Sequence, residues 1–328
     1  MKKLLLDYLT VSFKYPNHFE NVLIEKLHLP FDDMEIIKSH FGRSFCLYYD
    51  GISIHYDDEI VILEMSGKGC RTCEDLNPSF DWYSFIHSFD DDIVRVNSFN
   101  DPRMVHISRI DIALDDIDNS IVDVPLLQKY VRAKKYVCSS RYVSCIDGTR
   151  EFAVYFGSPK SSRRLRVYDK RLEQNLPDDS PSWVRYEFQL RDESALSFYL
   201  NLRLCNGDFS KCYFGVLCDY LIFVSKSRLD VGHHTERLNI VKWWKDFLGE
   251  ASSLNQLYLP GRQYSISSVQ DYFNKQCAST VKTLFLVHKH KNFGDISSFI
   301  DMVERSSLNK KQLFAYEKYI SEVVDENN

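Results

Sequence analysis

Four segments of the chain alternate apolar and polar residues, and their polar positions carry acids, arginines and one tyrosine. Side chains alternate between the two faces of a strand, so each segment directs its polar residues to one face. The segments are residues 60–66, 109–115, 164–170 and 185–191. Three of the carboxylates on these faces are candidate metal ligands, namely Glu64, Asp111 and Glu187.

The segment 164–170 places a tyrosine among basic residues. Tyr168 shares its face with Arg164, Arg166 and Lys170. A phenol has a pKa of about 10 and becomes a useful nucleophile when nearby cations stabilise the phenolate. If the four segments are neighbouring strands, the three carboxylates meet near this tyrosine, and oxygen donors of this kind suit Mg²⁺ or Mn²⁺. The pattern predicts metal-assisted phosphoryl transfer on a nucleic-acid backbone, although a sheet with one solvated face alternates in the same way.

The charge of the chain is unevenly distributed. The net charge is −5, yet residues 129–171 contain twelve lysines and arginines against three acidic residues. A polyanion such as DNA can therefore meet one basic face while the rest of the surface stays acidic. A solvated charged surface without a partner is the alternative interpretation of the same pattern.

The elements that would position these residues are mostly strands in the first two-thirds of the chain. Strands are predicted at residues 4–13, 45–49, 51–56, 60–66, 107–114, 151–157, 163–169 and 183–191. Helices are predicted at residues 17–29, 77–89 and 125–134, and then from residue 194 through 241–248, 268–288 and 295–324. We therefore predict an α+β fold with a largely antiparallel, sheet-rich catalytic domain at residues 1–230 and a helical C-terminal region at residues 231–328.

Cysteine usage and hydropathy predict a cytoplasmic protein. Nine cysteines are scattered along the chain, which is unlike a compact disulfide framework. No stretch approaches the roughly 20 apolar residues that cross a bilayer. The apolar run at the N-terminus is interrupted by Asp7, and no cleavage site of a signal peptide follows it.

Four other motifs are expected to be structural. Cys70 and Cys73 have ligand-like spacing but lack a second pair of cysteines to complete a zinc site. His288 and His290 lie in a predicted helix, where positions i and i+2 do not share a face. Residues 67–69 (Gly-Lys-Gly) are expected to form a turn, because they lack the spacing of known phosphate loops. Trp243 and Trp244 are candidates for stacking on bases, but at least one of them is expected to pack in the core.

The same segments resemble the ordered motifs of one family, the Rep_trans replication initiation factors of rolling-circle plasmids and phages, together with the related MobT-type relaxases. The resemblance covers roughly residues 5 to 290. The motifs that carry it are EMSGKGCR at 64–71, SRIDIALDD at 108–116, VYFGS at 154–158, RLRVYDK at 164–170 and WVRYE at 183–187.

This resemblance implies an enzyme that nicks and rejoins one DNA strand. In such families a tyrosine attacks the origin, retains the 5′ end as a phosphotyrosine and leaves a 3′-OH that primes synthesis. Tyr168 matches that nucleophile, with Arg166 and Lys170 beside it. Asp111 and Glu187 match acidic positions that we assign to the metal, with Glu64 as a third. The arginines expected to contact DNA are Arg71, Arg109, Arg163, Arg164 and Arg185.

The expected partners are origin DNA that is single-stranded near the nick and a host helicase, and a homodimer is left open. The same chemistry would serve a relaxase of a conjugative or integrative element, so the sequence does not separate replication from transfer. A DNA-binding regulator that keeps the sheet but lacks activity is a third interpretation. The enzymatic hypothesis requires the tyrosine and the acids to meet on one accessible surface.

Overall fold

Ten of the strands form one antiparallel sheet in the computed structural model. The residues that the structure describes are 2–14, 19–89, 105–118, 122–149, 151–177, 179–227, 239–249, 273, 278–291, 295–308, 313 and 316. The strands are β1 Lys2–Lys14, β2 Glu35–Ile36, β3 Phe45–Tyr49, β4 Ile52–Tyr56, β5 Ile60–Met65, β6 Val105–Ile117, β7 Tyr136–Cys138, β8 Val143–Asp147, β9 Phe152–Phe156, β10 Arg163–Asp169, β11 Trp183–Arg191 and β12 Leu221–Phe223. The order in the large sheet is β2-β3-β4-β5-β1-β6-β11-β10-β9-β8, and β12 pairs separately with β7.

Helices flank and follow this sheet. Their bounds are α1 Phe19–Lys26, α2 Gly67–Leu76, α3 Trp82–His87, α4 Val124–Arg132, α5 Lys170–Glu173, α6 Glu193–Leu204, α7 Phe209–Tyr220, α8 Lys242–Leu248, α9 Ala278–Lys291 and α10 Ser297–Glu304, with a 3-10 turn at Phe31–Asp33. The predicted α+β class, with a largely antiparallel sheet and helices after it, is confirmed.

The two faces of the central strands differ in chemistry, as the alternation predicts. One face packs against helices: the ring of Tyr186 on β11 lies 4.7 Å from that of Phe247 on α8. From α7, the Tyr213 hydroxyl donates a hydrogen bond to the Tyr186 carbonyl at 2.8 Å. The opposite face carries Glu187 on β11, which is paired in register with Arg166 on β10. The apolar face therefore anchors the strands, and the polar face is left for the site.

The segment Gly67-Lys68-Gly69 begins helix α2, so the predicted turn is wrong. Ser66 caps this helix, since its hydroxyl accepts a hydrogen bond from the Gly69 backbone N–H. A Cβ on Gly69 would lie 2.2 Å from the carbonyl oxygen of Gly51, which shows that this position needs glycine. The two glycines therefore allow α2 to lie close against the sheet.

The chain divides into two compact units, residues 1–259 and 260–328. The sequence pattern predicts a boundary at residue 230 instead. Residue 230 itself lies outside the described residues. Helix α8 falls in the first unit because Trp244 and Phe247 are buried in its core. Trp243 is half-buried and packs against Tyr130 and Phe223, so at least Trp244 is a core residue, as expected.

The second unit contains α9 and α10, which meet through Phe285 and Phe299 with ring centroids 5.8 Å apart. His288 and His290 lie on α9, and His288 contacts the Ser298 hydroxyl at 3.2 Å. Within the described part of the chain, no helix has the length and apolar character needed to cross a membrane.

A buried ion pair joins two central strands and yields a stability prediction. The guanidinium of Arg185 on β11 donates to both oxygens of Asp115 on β6, at 2.6 and 2.8 Å, and the two side chains are 7% and 4% exposed. Because Asp115→Asn leaves the buried guanidinium with less charge compensation, we expect a loss of about 3 kcal/mol in the free energy of unfolding.

Urea unfolding monitored by circular dichroism measures this loss. The matched control is Asp147→Asn, since Asp147 pairs with Arg132 at 3.5 Å where both side chains are more than 60% exposed. That substitution should cost less than about 1 kcal/mol. Equal effects of the two substitutions would contradict the structural role of the buried pair.

Candidate functional site

The hydroxyl of Tyr168 lies between an acid and a base on the polar face of β10 and β11. It donates a hydrogen bond to Glu187 Oε2 at 3.1 Å and accepts one from Lys170 Nζ at 3.4 Å. Burial raises the pKa of Tyr168 far above its ordinary value, with a further contribution from the negative charge of Glu187. The structure thus brings together the predicted nucleophile, one predicted metal ligand and one predicted catalytic lysine.

The ring of Tyr168 is only 2% exposed, which corrects the expectation of an accessible tyrosine. The guanidinium of Arg166 covers it at 3.7 Å from the ring centroid. Arg166 is held there by two acids, Glu151 at 3.2 Å and Glu173 at 3.3 Å. Access to the tyrosine therefore depends on the position of one arginine side chain that could exchange its carboxylate partners for a phosphate.

A second tyrosine lies beside the first. Tyr155 on β9 packs with Tyr168 and Ala153 in a small buried cluster on this face. The guanidinium of Arg164 stacks on the Tyr155 ring at 4.3 Å, and the Tyr155 hydroxyl donates to Glu151. Tyr155 offers a matched comparison for any test of Tyr168.

Two of the predicted metal ligands, Asp111 and Glu187, lie on the neighbouring strands β6 and β11. Asp111 is buried and bonded to Arg109, whose Nε donates to Asp111 Oδ1 at 2.9 Å. Burial raises the pKa of Glu187, and the negative charges of Asp7 and Asp111 raise it further. Burial likewise raises the pKa of Asp111, although Arg109 opposes the shift.

Asp7 is a member of this acidic group that sequence reasoning missed. It lies on β1 at an irregularity between Leu6 and Tyr8, where the pairing with β6 shifts by one residue. Its carboxylate accepts a hydrogen bond from Arg185 at 3.0 Å. The signal in the sequence was the single acid that interrupts an apolar run, which we interpreted only as evidence against a signal peptide.

The third predicted ligand, Glu64, is separated from the other two. The strand order places β5 two strands from β6 and three from β11, so the backbones of Glu64 and Glu187 are at least roughly 14 Å apart at about 4.8 Å per strand. The register adds to this, because Glu64 is level with Arg191 and not with Glu187 on β11. Glu64 instead lies beside two histidines, with Oε2 3.0 Å from His40 and 3.6 Å from His55. This corrects the predicted trio of carboxylates.

The arginines expected to contact DNA have different surroundings. Arg185 is buried and its guanidinium is already paired with Asp115 and Asp7. Arg163 pairs with Asp219 at 2.8 Å, and Arg71 pairs with Glu74 at 3.0 Å. Among the described residues, no carboxylate lies within salt-bridge distance of Arg164. The arginines nearest the tyrosines are therefore the best placed for a phosphate.

The acids Asp7, Asp111 and Glu187 suit a hard divalent cation. All three are carboxylates, and oxygen donors are what Mg²⁺ and Mn²⁺ prefer. Burial raises the pKa of Glu187 first, and the negative charges of Asp7 and Asp111 add to that shift. Arg109 and Arg185 each offset part of this charge. The donor type of these residues therefore suits such an ion, but their oxygen atoms do not all lie within 4.8 Å of one another in this structure.

The raised pKa values of Asp111 and Glu187 make the free energy of unfolding fall as the pH rises. Ordinary values are 3.8 for Asp111 and 4.5 for Glu187, and the folded protein holds these protons more strongly than the unfolded chain. The resulting contribution to the free energy of unfolding is fully present when the pH is below the ordinary pKa values. It is lost as the pH rises through the raised pKa values.

We therefore expect metal-free wild-type protein to lose stability relative to Glu187→Gln as the pH rises from about 4 to about 8. Urea unfolding of both proteins at several pH values measures the difference. If the difference in the free energy of unfolding between the two proteins stays constant or shrinks as the pH rises, the raised pKa of Glu187 is contradicted.

Comparisons with known proteins bear on this site. The sequence model of a family described as replication initiation factor matches residues 105–300. A second model, described as the N-terminal domain of rolling circle replication initiation protein, matches residues 3–88. Together the two matches include every strand of the central sheet that carries a candidate site residue.

Two individual proteins are also similar. The chain is 29% identical over 341 residues to "Putative DNA relaxase NicK" of Bacillus subtilis (strain 168), with 98% of this chain and 91% of that protein covered. It shares its fold with a rolling circle replication initiator protein from Geobacillus stearothermophilus, at a TM-score of 0.63 and 24% identity. That match covers 77% of this chain and 97% of the other.

Proposed function

Because the chain belongs to the family of replication initiation factors, we propose that it nicks one strand of origin DNA through Tyr168 and thereby starts rolling-circle replication. The observation that carries this proposal is the position of the Tyr168 hydroxyl. It lies between Glu187 and Lys170, under Arg166, on the same sheet face as Asp7 and Asp111, whose negative charges act on Glu187.

The reaction conserves the number of phosphodiester bonds. The Tyr168 oxygen forms a bond to the scissile phosphorus, and the bond from phosphorus to the 3′ oxygen breaks. The phenol proton passes to Glu187, which already accepts it in a hydrogen bond at 3.1 Å. The departing 3′ oxygen takes a proton from water, and the proton held by Glu187 neutralises the hydroxide that remains, so the products are a 5′-phosphotyrosine and a free 3′-OH.

Cations at the site lower the cost of forming the phenolate. Lys170 lies 3.4 Å from the hydroxyl, and Arg166 lies over the ring. A divalent metal held by Asp7, Asp111 and Glu187 would polarise the scissile phosphate and offset charge in the transition state. Arg164 and Arg166 would bind phosphate oxygens, since a guanidinium matches them bidentately.

The cover over Tyr168 gives DNA a role in opening the site. Arg166 keeps the ring buried while Glu151 and Glu173 hold it. A phosphate that replaces these carboxylates as the partner of Arg166 would shift the guanidinium and expose the hydroxyl. The enzyme would then be inactive until single-stranded DNA lies across β10. A host helicase would separate the strands after the nick.

The experiment incubates the protein with Mg²⁺ or Mn²⁺ and a supercoiled plasmid that carries the origin of its element. We expect open-circular DNA whose 5′ end is attached to protein and whose 3′ end can be extended by a polymerase. Specific origin binding without cleavage under either metal would instead support a DNA-binding regulator.

A relaxase for conjugative transfer is the second candidate, and the similarity to the Bacillus subtilis relaxase over almost the whole chain favours it. Both functions need the same nick. A mobilisation assay separates them, because only a relaxase would transfer a plasmid carrying the nicked sequence to a recipient cell in the presence of the element's secretion genes.

A further inference from the structure

Three side chains with metal-binding atoms meet at β4, β5 and the segment that precedes β3. They are His40, His55 and Glu64, and their ligand atoms all lie within 4.8 Å of one another. Glu64 Oε2 is 3.0 Å from His40 Nε2 and 3.6 Å from His55 Nε2. Among the described residues, no other group of three histidines, cysteines or acids is gathered this closely.

The buried member of the group is oriented as a metal ligand. His55 is fully buried, and its Nδ1 lies 3.0 Å from the Ser39 hydroxyl. When Nδ1–H donates to Ser39, Nε2 carries the lone pair and points toward Glu64. Metal-binding histidines usually have such a partner on the second nitrogen. The Ser39 oxygen also accepts from the backbone N–H groups of Phe41 and Arg43, so Ser39 organises the segment that carries His40. With both acceptor positions filled, the hydroxyl donates to Nδ1 in the metal-free protein, and metal binding at Nε2 requires the other tautomer.

We propose that His40, His55 and Glu64 bind a divalent first-row transition metal, with Zn²⁺ as the best match. Two imidazoles and one carboxylate are a known zinc donor set, and imidazole favours such metals over Mg²⁺. His40 is 59% exposed, which leaves a path for entry and a position for water.

This site is distinct from the acids near Tyr168. Glu64 is on β5 and Tyr168 is on β10, four strands away in the sheet, which corresponds to at least roughly 19 Å between backbones. A metal there cannot share a phosphate with the Tyr168 hydroxyl. The inference therefore does not depend on the proposed nicking activity.

The position of the site indicates a structural role. A metal bound by His40 would fasten its segment to β4 and β5. The other oxygen of Glu64 accepts a hydrogen bond from the Tyr8 hydroxyl. The guanidinium of Arg109 stacks on the Tyr8 ring, 3.9 Å from the ring centroid. Arg109 in turn holds Asp111. The metal would thus fix one end of a row of contacts that leads to the acidic group.

Metal titration of the full-length, untagged, metal-free protein tests the proposal. We expect calorimetry to show a Zn²⁺ site, Co²⁺ to give visible absorption bands of a bound ion, and Zn²⁺ to raise the melting temperature. His40→Gln should abolish all three signals without unfolding the protein, because His40 is exposed. Ser39→Ala should weaken Zn²⁺ binding about tenfold, since it removes the partner of His55.

Two control variants distinguish this site from other histidines and acids. His106→Gln replaces a half-exposed histidine that lies 3.9 Å from Asp192 and outside the group, so Zn²⁺ binding should be unchanged. Asp111→Asn should also leave it unchanged. Equal Zn²⁺ binding by wild type and His40→Gln would overturn the proposal, and so would binding that is lost in Asp111→Asn but kept in His40→Gln.

Discussion

Tyr168→Phe is expected to abolish the covalent adduct between protein and DNA and to lower the rate of origin nicking by about a thousandfold or more. The substitution removes the only atom that would attack the phosphorus, and enzymes lose most of their activity when the nucleophile is removed. The fold should be unaffected, since Phe fills the same buried space and only the hydrogen bonds with Glu187 and Lys170 are lost. Gel electrophoresis of nicked plasmid and of labelled protein–DNA adducts measures both effects.

Tyr155→Phe is the matched control for this result. Tyr155 lies in the same buried cluster and also stacks against an arginine, and its hydroxyl donates to Glu151. Its loss should leave the adduct intact. Wild-type amounts of adduct in Tyr168→Phe, or loss of the adduct in Tyr155→Phe alone, would show that another tyrosine is the nucleophile.

Glu187→Gln is expected to lower nicking by about a hundredfold or more at saturating Mg²⁺. The glutamine keeps the shape of the side chain and can still accept from Tyr168. It removes a negative charge from the group that would hold the cation, and it cannot take the phenol proton. A titration of nicking rate against Mg²⁺ and Mn²⁺ concentration measures the loss. Glu193→Gln, at an exposed acid just after the same strand, should behave as wild type.

The stability of Glu187→Gln shows whether the variant loses activity because a catalytic group is missing or because the protein unfolds. Burial and the neighbouring acids raise the pKa of Glu187, so the charged carboxylate destabilises the metal-free fold at neutral pH. The inactive variant should therefore be at least as stable as wild type under those conditions. A variant that unfolds more easily near neutral pH would indicate a structural role for Glu187 instead.

The central strands were predictable because burial follows their alternation. Strands β6, β10 and β11 direct their apolar residues to helices and their polar residues to one face, as period-two patterns predict. Helix α2 was not predictable in the same way. Gly67 and Gly69 have low helix propensity, and the need for them arises from close approach to Gly51 and Asp7, which only the folded structure shows.

The candidate site was predictable in part for a related reason. Residues that share a face of neighbouring strands, such as Asp111 on β6 and Glu187 on β11, lie near enough for the charge of one to raise the pKa of the other. Sequence cannot give the order of strands, so the distance from Glu64 to the other acids was underestimated. Nor does alternation reveal which arginine is buried by a partner that is far away in the sequence, as Arg185 is by Asp115 on the neighbouring strand.

The most direct test of the account identifies the residue that becomes joined to DNA. The adduct formed with origin DNA is trimmed with nuclease and digested with trypsin, which cuts after Arg166 and Lys170 and releases the peptide of residues 167–170 (VYDK). Mass spectrometry should find the nucleotide on Tyr168 in this peptide. A nucleotide on a peptide that contains Tyr155, Tyr8 or any other tyrosine would contradict the account.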